Sequence, residues 1–336
     1  MKIEKDKSLK EMTTFKIGGN AQFFCIIEKE EDIVEAVKFA KENNLRFFVL
    51  GGGSNILVSD KGFGGLVMKM EMKGIDFNGG VVSVKAGEDW DNFVGETVSR
   101  DLYGLENLSL IPGTCGAAPV QNIGAYGSEV KDTIVSVRAL DSKKMEFRDF
   151  SNPDCEFEYR NSLFKREAGR YVISSVIFNL KKNGEVNTDY KDIAEYFLLK
   201  GIMRPSLKDV REAVVHIRTN KLPDVKVLGT AGSFFKNPIL AHGQANELKK
   251  RFPELPVYPF SDENVKVSLA WILDHVCGFK GATKGNVGTY KNQALVLVNN
   301  GGATANEIKS FAHELARAVQ EKTGIEVEAE IQYVGE

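Results

Sequence analysis

The cradle segment, Ser109 to Gly127, reads Ser-Leu-Ile-Pro-Gly-Thr-Cys-Gly-Ala-Ala-Pro-Val-Gln-Asn-Ile-Gly-Ala-Tyr-Gly. It contains four glycines, two prolines and three alanines, and no charged residue. Glycine allows close approach and unusual backbone torsions, whereas proline fixes the path of the chain. Because loops in water are usually polar, this composition fits either a tight crossover between two elements or a backbone surface for a flat cofactor.

A second glycine run lies earlier in the chain. An apolar stretch from Arg46 to Leu50 predicts a strand, and Gly51-Gly52-Gly53-Ser54-Asn55 follows it directly. A strand that runs into glycines can bring backbone N–H groups up to a phosphate. No GxGxxG opens a helix here and no GKS or GKT follows, so neither common nucleotide motif is present. A plain turn and an anion-binding loop both fit this run.

Composition excludes several classes of protein. The 336 residues predict two or three domains, and a net charge of −2 argues against a general nucleic-acid or membrane surface. Residues 1–10 are rich in lysine and contain no apolar run, so they predict no signal peptide. No apolar stretch of the chain approaches the roughly 20 residues of a membrane span. Four scattered cysteines and four histidines without an HExxH pattern predict reduced thiols and no metal site. We therefore expect a cytoplasmic protein that binds neither nucleic acid nor membrane.

Local patterns predict the clearest elements. Residues Glu30 to Asn44 should form a helix that starts with acidic side chains, and a domain boundary is expected near residue 205. Thr304 and Glu307 predict a capping box at the start of a helix that Gly324 ends. Beyond it, residues 325–333 alternate between apolar and polar, which predicts a strand with one acidic face. Periodicity alone favours a solvated role for that face.

Five scattered polar residues are candidates for acid–base or anion chemistry: Arg160, Lys221, Ser233, Asn237 and Glu330. None belongs to a Ser-His-Asp pattern, and Ser233 lacks a GxSxG elbow. Arg160 suits either a bidentate clamp on a carboxylate or a surface ion pair. Ser233 suits either a proton donor or a turn serine.

Taken together, the motifs resemble the UDP-N-acetylenolpyruvoylglucosamine reductase family of flavoenzymes, over nearly the whole chain. The matching stretches extend from Thr14–Gly19 to the closing Glu328-Ala329-Glu330, and the most specific are the cradle segment and Gly232-Ser233-Phe234-Phe235-Lys236-Asn237-Pro238. Others are Tyr159-Arg160-Asn161-Ser162, Arg218–Pro223 and Asn292–Leu295.

The resemblance implies an α+β architecture in three parts. Residues 1–70 and 71–206 would form two subdomains of a PCMH/VAO-type FAD-binding fold. Residues 207–336 would form a C-terminal α/β substrate-binding domain, and in an alternative arrangement the last strand returns to the FAD-binding part. The implied protein is a monomer that holds FAD non-covalently.

The implied reaction is reduction of UDP-N-acetylglucosamine enolpyruvate to UDP-N-acetylmuramate, with NADPH as hydride donor, in peptidoglycan precursor synthesis. By family position, Arg160 and Glu330 act at the enolpyruvyl group, and Ser233 gives the proton. The implied substrate-binding residues are Tyr190, Lys221, Asn237 and Gln293. The implied FAD contacts are Gly51, Gly52, Gly53, Ser54, Asn55, Pro112, Gly113, Thr114, Gly116, Ala117, Gln121, Asn122, Gly124, Ala125, Tyr126 and Gly127.

The chain departs from the family pattern at two places. Position 114 is Thr where many members have Ser, and the run that follows it, Cys115 to Ala118, is poorer in hydroxyl groups than usual. Gln332 stands where Arg is usual. Two other functions compete. An oxidase with a histidyl-linked flavin needs a histidine in the FAD part, but the first histidine is His216. A UDP-sugar-binding protein without flavin would not need the cradle segment, Arg160, Ser233 and Glu330 together.

Overall fold

The computed structural model describes residues 1–335. The strands are β1 (Ile3–Ser8), β2 (Asn20–Ile27), β3 (Phe47–Leu50), β4 (Ile56–Val58), β5 (Phe63–Met70), β6 (Ile75–Asn78), β7 (Val81–Lys85), β8 (Gly124–Ala125), β9 (Ser128–Glu129), β10 (Ile134–Asp141), β11 (Glu146–Ser151), β12 (Tyr171–Asn179), β13 (Ile239–Ala241), β14 (Val257–Pro259), β15 (Asn264–Val267), β16 (Thr283–Lys284), β17 (Val287–Tyr290), β18 (Gln293–Asn299) and β19 (Gln332–Val334).

The α-helices are α1 (Glu30–Glu42), α2 (Trp90–Ser99), α3 (Leu163–Arg166), α4 (Lys191–Lys200), α5 (Leu207–Lys221), α6 (His242–Arg251), α7 (Leu269–Trp271) and α8 (Ala305–Thr323). Short 3-10 helices lie at Lys10–Met12, Glu106–Leu108, Val130–Asp132 and Pro153–Cys155, and Ile272–Val276 forms a π-helix. The mixture of helices and strands agrees with the predicted α+β class.

The chain divides into two compact units. The first unit contains Met1–Lys7, Ala21–Gly52 and Phe63–Thr219. The second contains Ser8–Asn20, Gly53–Gly62 and Asn220–Glu336, of which the structure describes all but the last residue. The three predicted segments therefore correspond to two units, and the change of unit after α4 falls at residue 219 rather than near 205.

Two sheets build the first unit. One has the strand order β1-β2-β5-β3, in which β5 runs parallel to both β2 and β3. The predicted helix at residue 30 is present as α1, and it makes the crossover that joins the parallel strands β2 and β3. Its inner face buries Ile33, Ala36, Val37 and Ala40. The carboxyl end of β3 thereby delivers Gly51 and Gly52 to the edge of a buried sheet.

The other sheet of the first unit is antiparallel, with the order β11-β10-β12-β7-β6. Helix α2 packs on it through aromatic contacts. Trp90 and Phe93 lie with ring centroids 6.0 Å apart, and Phe93 lies 5.2 Å from Phe178 of β12. All three rings are fully buried, so α2 is packed tightly against this sheet.

In the second unit, α8 confirms the local prediction. Thr304 and Glu307 form the capping box, and Gly324 ends the helix in a left-handed conformation with φ of 77°. The predicted apolar stripe of α8 is buried at every position: Ile308, Phe311, Ala312, Leu315 and Val319. It packs beside small sheets with the orders β13-β15-β14 and β16-β17-β18.

The predicted strand over residues 325–333 is mostly wrong. Only Gln332–Val334 forms a strand, β19, which pairs in parallel with β4. Residues before it still alternate in burial, with Ile325 and Ile331 buried and Glu326 and Glu328 exposed. They lack a continuous ladder partner, because Ala329 makes only an isolated bridge with Phe235. Alternation reports which side chains are buried, but a strand also needs a neighbour along its whole length.

Candidate active site

The cradle segment is pinned to the residues between β7 and α2. Trp90 N–H donates to the Gly113 carbonyl oxygen at 3.1 Å, and Cys115 N–H donates to the Glu88 carbonyl oxygen at 2.9 Å. Gly116 N–H reaches the Ala86 carbonyl oxygen, also at 2.9 Å. A Cβ atom added at Gly116 would lie 2.5 Å from the Ala86 Cβ, so this close approach needs glycine. The cradle segment is therefore a fixed surface rather than a mobile loop.

The two glycine-rich stretches meet within the first unit. A Cβ atom on Gly51 would lie 2.7 Å from the Thr114 Oγ1, and one on Gly52 would lie 2.7 Å from the Gly113 Cα. Lys69 Nζ donates to the Gly51 carbonyl oxygen at 2.7 Å, which turns this carbonyl toward β5. Gly51, Gly52, Gly113 and Thr114, all predicted FAD contacts, thus form one continuous backbone surface.

This surface has the donor chemistry that a dinucleotide needs. In the described part of the chain, no backbone hydrogen bond is donated by the N–H groups of Gly51 or Gly52. Both residues are half-buried. Unpaired amide donors at the carboxyl end of a parallel strand favour an anionic diphosphate. The residues present therefore fit FAD.

The rest of the predicted FAD loop belongs to the second unit. Gly53 has φ of 63°, and a Cβ atom there would lie 2.1 Å from the Met12 carbonyl oxygen. Asn55 Nδ2 donates to the Glu330 carbonyl oxygen at 3.3 Å, and Gln332 N–H donates to the Asn55 carbonyl oxygen at 2.9 Å. Asn55 therefore fixes the backbone on both sides of Ile331, next to the predicted catalytic residue Glu330.

Arg160 sits at the tip of a tight turn beside the cradle segment. Glu158 and Asn161 exchange backbone hydrogen bonds across this turn, and Arg160 itself has φ of 54°. Its Nη2 donates to the Gly124 carbonyl oxygen at 2.6 Å. A non-glycine residue in the left-handed region costs conformational free energy, and such strain is concentrated at functional sites. The turn thus holds a guanidinium at the cradle segment.

Asn122 ties the same turn to the cradle segment. Its side chain is fully buried, and Nδ2 donates to the Glu158 carbonyl oxygen at 3.0 Å. Its Oδ1 accepts from Lys131 N–H at 3.1 Å. Because the amide is occupied by these contacts, the structure gives Asn122 a supporting part, and the predicted FAD contact would have to use its backbone.

A two-residue hairpin closes the cradle segment. Tyr126 and Gly127 join β8 to β9 with φ of 50° and 82°, the torsions of a type I′ turn. The Tyr126 ring contacts Tyr190 edge to face at 5.2 Å, and its hydroxyl interacts electrostatically with Arg218 of α5. Burial raises the pKa of Tyr126, and the Arg218 charge opposes that shift. The structure therefore adds Arg218 to the residues around the cradle segment. In the sequence, Arg218 stood out only as part of the Arg218–Pro223 motif.

Ser233 and Glu330 lie on neighbouring backbone segments of the second unit. Ser233 follows Gly232, whose φ is 74°, and forms an isolated bridge with Val296 of β18. Glu330 N–H donates to the Phe234 carbonyl oxygen at 2.8 Å, which places Glu330 beside the residue that follows Ser233. Buried Phe234 anchors both, and both Ser233 and Glu330 are half-buried. Within the second unit, these two predicted residues are brought together.

Lys236 is the cation nearest to Ser233 in sequence, and the structure pairs it elsewhere. Its Nζ lies 2.5 Å from Glu328 Oε1, and its N–H donates to the Glu328 carbonyl oxygen. Of the predicted substrate residues, Asn237 Oδ1 accepts from Leu269 N–H at 3.0 Å and Gln293 Oε1 accepts from Leu295 N–H at 3.4 Å. Lys221 is the last residue of α5, in the second unit. Tyr190 precedes α4, in the first unit.

Residues 1–335 contain neither a metal-binding cluster nor a helix suited to a membrane. No group of three or more His, Cys, Asp and Glu side chains in this range could hold a metal ion. Over the same range, no helix combines the length and apolar character needed to cross a membrane.

Family models and relatives cover the chain almost completely. A model described as "FAD binding domain" matches residues 21–145, and one described as "UDP-N-acetylenolpyruvoylglucosamine reductase, C-terminal domain" matches residues 223–334. Together they support the predicted FAD-binding fold with a C-terminal domain.

Curated relatives named UDP-N-acetylenolpyruvoylglucosamine reductase include the Flavobacterium johnsoniae protein, 43% identical over 99% of this chain and 100% of its own. The Chromobacterium violaceum protein of the same name is 42% identical over 98% of each chain. A crystal structure of the reductase MurB from Thermus caldophilus superposes with a TM-score of 0.71 at 25% identity, covering 99% of both chains. The chain therefore belongs to the UDP-N-acetylenolpyruvoylglucosamine reductase family.

Proposed function

We propose that this chain reduces the enolpyruvyl ether of UDP-N-acetylglucosamine enolpyruvate to the lactyl ether of UDP-N-acetylmuramate, a step in peptidoglycan precursor synthesis. NADPH is the reductant and FAD is the bound cofactor. The observation that carries the proposal is the hydrogen bond from Arg160 to Gly124, which fixes a cation at the edge of the cradle segment. Membership of the reductase family supplies the substrate class.

The cradle segment, with Gly51 and Gly52, would hold the cofactor. When bound, FAD would supply the two-electron hydride chemistry that links NADPH to the methylene carbon of the enolpyruvyl double bond. The chain contributes amide donors and small side chains, whose close packing leaves backbone rather than bulky groups at the surface. Thr114 keeps a hydroxyl group at the position where many family members have serine.

Arg160 is proposed to bind the substrate carboxylate. Hydride addition to the methylene carbon leaves negative charge that spreads from the neighbouring carbon onto that carboxylate. A preorganised guanidinium stabilises this charge more than it stabilises the ground state, which is what lowers a barrier. The bond to Gly124 and the constrained turn preorganise Arg160 before substrate arrives.

Ser233 is proposed to complete the reduction by giving its hydroxyl proton to the carbon beside the carboxylate. The net change is one hydride and one proton added across the double bond. A serine hydroxyl is a weak acid, so its alkoxide must be stabilised as the proton leaves. Lys236 is paired with Glu328. Glu330 is hydrogen-bonded through its N–H group to Phe234, the residue that follows Ser233. We therefore assign Glu330 a role beside Ser233 at the enolpyruvyl group.

Four polar residues are assigned to the rest of the substrate by family position. Lys221, Asn237 and Gln293 are proposed to bind the diphosphate and uridine, and Tyr190 is proposed to contact the substrate. The hydrogen bonds of Asn237 and Gln293 to backbone N–H groups occupy their carbonyl oxygens and leave their amide N–H groups for ligand. We further propose a cytoplasmic monomer, in line with the scattered thiols.

Anaerobic half-reactions test the proposal. Purified protein should show a flavin visible spectrum that NADPH bleaches and UDP-N-acetylglucosamine enolpyruvate restores. Ser233→Ala should leave bleaching within about twofold and slow the restoration by roughly 10²–10⁴-fold. Ser261→Ala, which removes an exposed serine of the second unit, is the matched control and should alter neither rate.

Two results would overturn parts of this assignment. A colourless protein that takes up no FAD would reject the reductase function. Equal losses in both half-reactions of Ser233→Ala would reject the proton-donor role while leaving the reductase function intact.

A further inference from the structure

An exposed apolar cluster lies at the end of α4. We call this cluster the apolar knob, and it consists of Leu198, Leu199 and Met203. The exposed fractions of these residues are 80%, 87% and 89%. Among the described residues, Val227 is the one other large apolar residue above 46%. Single exposed apolar residues are ordinary, but three within six positions form a patch that marks an interaction surface.

The apolar knob stands on a well-packed base. Ile193 and Phe197 of α4 are buried against Val210 and Val214 of α5. Gly201 ends α4 with φ of 68°, and Ile202 N–H donates to the Phe197 carbonyl oxygen at 3.0 Å. Exposure of the apolar knob therefore does not come from an unfolded segment, because its inner side is part of a fixed core.

Basic residues are interspersed with the apolar knob in the sequence. Residues 196–208 contain Lys200, Arg204 and Lys208, all exposed, and contain no Asp or Glu, whereas Glu195 and Asp209 border this range. The whole chain has a net charge of −2, so this local excess is opposite in sign to the protein as a whole. Exposed leucines flanked by Lys and Arg combine the two attractions that hold a protein at an anionic bilayer surface.

We propose that the apolar knob and its three basic neighbours dock this protein on an anionic lipid surface, with the knob in the headgroup region. The net charge argues against a membrane-binding surface over the whole molecule, and the proposed contact is confined to this patch of the first unit. Tyr190 is the residue that caps the start of the same helix, α4. Docking would therefore place lipid against the helix that carries a proposed substrate contact, and it does not depend on the proposed reaction.

A second copy of the chain fits the patch less well. A two-fold contact through the apolar knob would bring Lys200, Arg204 and Lys208 of both copies together, and like charges repel. Three side chains also provide far less than the roughly 800 Å² per partner of a stable interface. Lipid supplies the opposite charge and needs no complementary shape.

Vesicle flotation of the FAD-loaded protein tests the proposal. At low salt, the wild-type protein should float with vesicles containing phosphatidylglycerol at least about tenfold more than with phosphatidylcholine vesicles. Leu199→Glu with Met203→Glu, and separately Lys200→Glu with Arg204→Glu, should each reduce flotation by about tenfold or more. Val227→Glu, equally exposed but on the second unit, is the matched control and should float like the wild type.

Folding of each variant is checked by flavin content and thermal unfolding, which these exposed substitutions should leave unchanged. Equal flotation with both kinds of vesicle, or none with either, would overturn the proposal. So would flotation that survives both double substitutions. Dimerisation without lipid, seen by sedimentation velocity and lost in Leu199→Glu with Met203→Glu, would assign the patch to a second copy instead.

Discussion

Arg218 Nε donates to the Leu110 carbonyl oxygen at 3.2 Å, and the Arg218 charge also acts on the Tyr126 hydroxyl, whose pKa it lowers against the effect of burial. One side chain of α5 thereby interacts with two residues near opposite ends of the cradle segment. Both Tyr126 and Leu110 have positive φ, of 50° and 58°. The guanidinium therefore interacts with two positions at which a non-glycine residue of the cradle segment adopts a left-handed conformation.

This relationship predicts coupled effects on stability. Tyr126→Phe should lower the free energy of unfolding by about 1 kcal/mol, because it removes the polar interaction of the hydroxyl with Arg218 but keeps the ring contact with Tyr190. Arg218→Lys should cost more, since a single ammonium group cannot reproduce the planar guanidinium that reaches both partners. Urea unfolding of the single and double variants forms a double-mutant cycle.

The cycle should give a coupling energy above roughly 0.5 kcal/mol. Tyr196→Phe in α4, whose ring packs on Phe197, serves as control and should be additive with Arg218→Lys. Additivity of Tyr126→Phe with Arg218→Lys would contradict the proposed link.

Arg160→Lys should separate binding of cofactor from reduction of substrate. Lysine keeps the charge but loses the planar donor set that contacts Gly124 and a carboxylate together. Flavin content and bleaching by NADPH should stay near the wild-type values, whereas reoxidation by the enolpyruvyl substrate should slow by about 10²–10³-fold.

Stopped-flow absorbance of the flavin measures both steps for Arg160→Lys. Arg166→Lys, on the same segment and paired with Glu156 at the surface, is the matched control. A variant with normal reoxidation would remove Arg160 from the proposed carboxylate site.

Gly52→Ala should loosen the junction between the two glycine-rich stretches. The new Cβ would meet the Gly113 Cα at 2.7 Å, and backbone cannot move aside as a flexible side chain can. Overpacking of this kind costs roughly 1–3 kcal/mol, and we expect weaker FAD binding along with it. Thermal unfolding of the apo and holo protein, with flavin fluorescence for the affinity, measures both effects.

Gly64→Ala is the control for this substitution, because a Cβ at Gly64 meets nothing within 4 Å. It should leave FAD affinity unchanged. If both alanine variants behave alike, the close approach of Gly52 to Gly113 does not shape the cofactor surface.

Buried thiols predict a loss of stability at high pH. Burial raises the pKa of Cys25 and of Cys155 to about 12 in the folded state. An unfolded cysteine titrates near 8.5, so the folded state binds protons more tightly above that value. The stabilisation is therefore complete below about pH 8.5 and is lost as pH rises toward 12. Urea unfolding across this range should show the decline.

Cys25→Ala with Cys155→Ala should flatten that decline, although the variant is less stable at neutral pH. Thiol labelling provides a separate check. Half-buried Cys277 should react first, and the other three cysteines, all buried, should react only when the protein opens. Rapid labelling of all four thiols in the native protein would show that the buried sites are open to solvent.

Much of the fold was predictable from local sequence. The capping box at Thr304, the stop at Gly324 and the buried stripe of α8 follow from contacts between residues three or four positions apart. The need for glycine at Gly127 is similarly local, since its φ of 82° belongs to a hairpin turn, whereas at Gly116 it depends on the close approach of Ala86. Family resemblance extended this to fold, cofactor and reaction, because several specific motifs occur in order along one chain.

Other features depend on partners far apart in sequence. Residues 325–331 alternate like a strand but lack a ladder, and β19 pairs with β4, some 270 residues earlier in the chain. The family resemblance implies an FAD contact for Asn122, and in the structure its side-chain amide is hydrogen-bonded to the backbone of Glu158 and Lys131. In each case the sequence alone determined which groups are apolar, small or able to donate. Only the tertiary structure decided which partners they meet, because hydrogen bonds and packing are specific to positions in space.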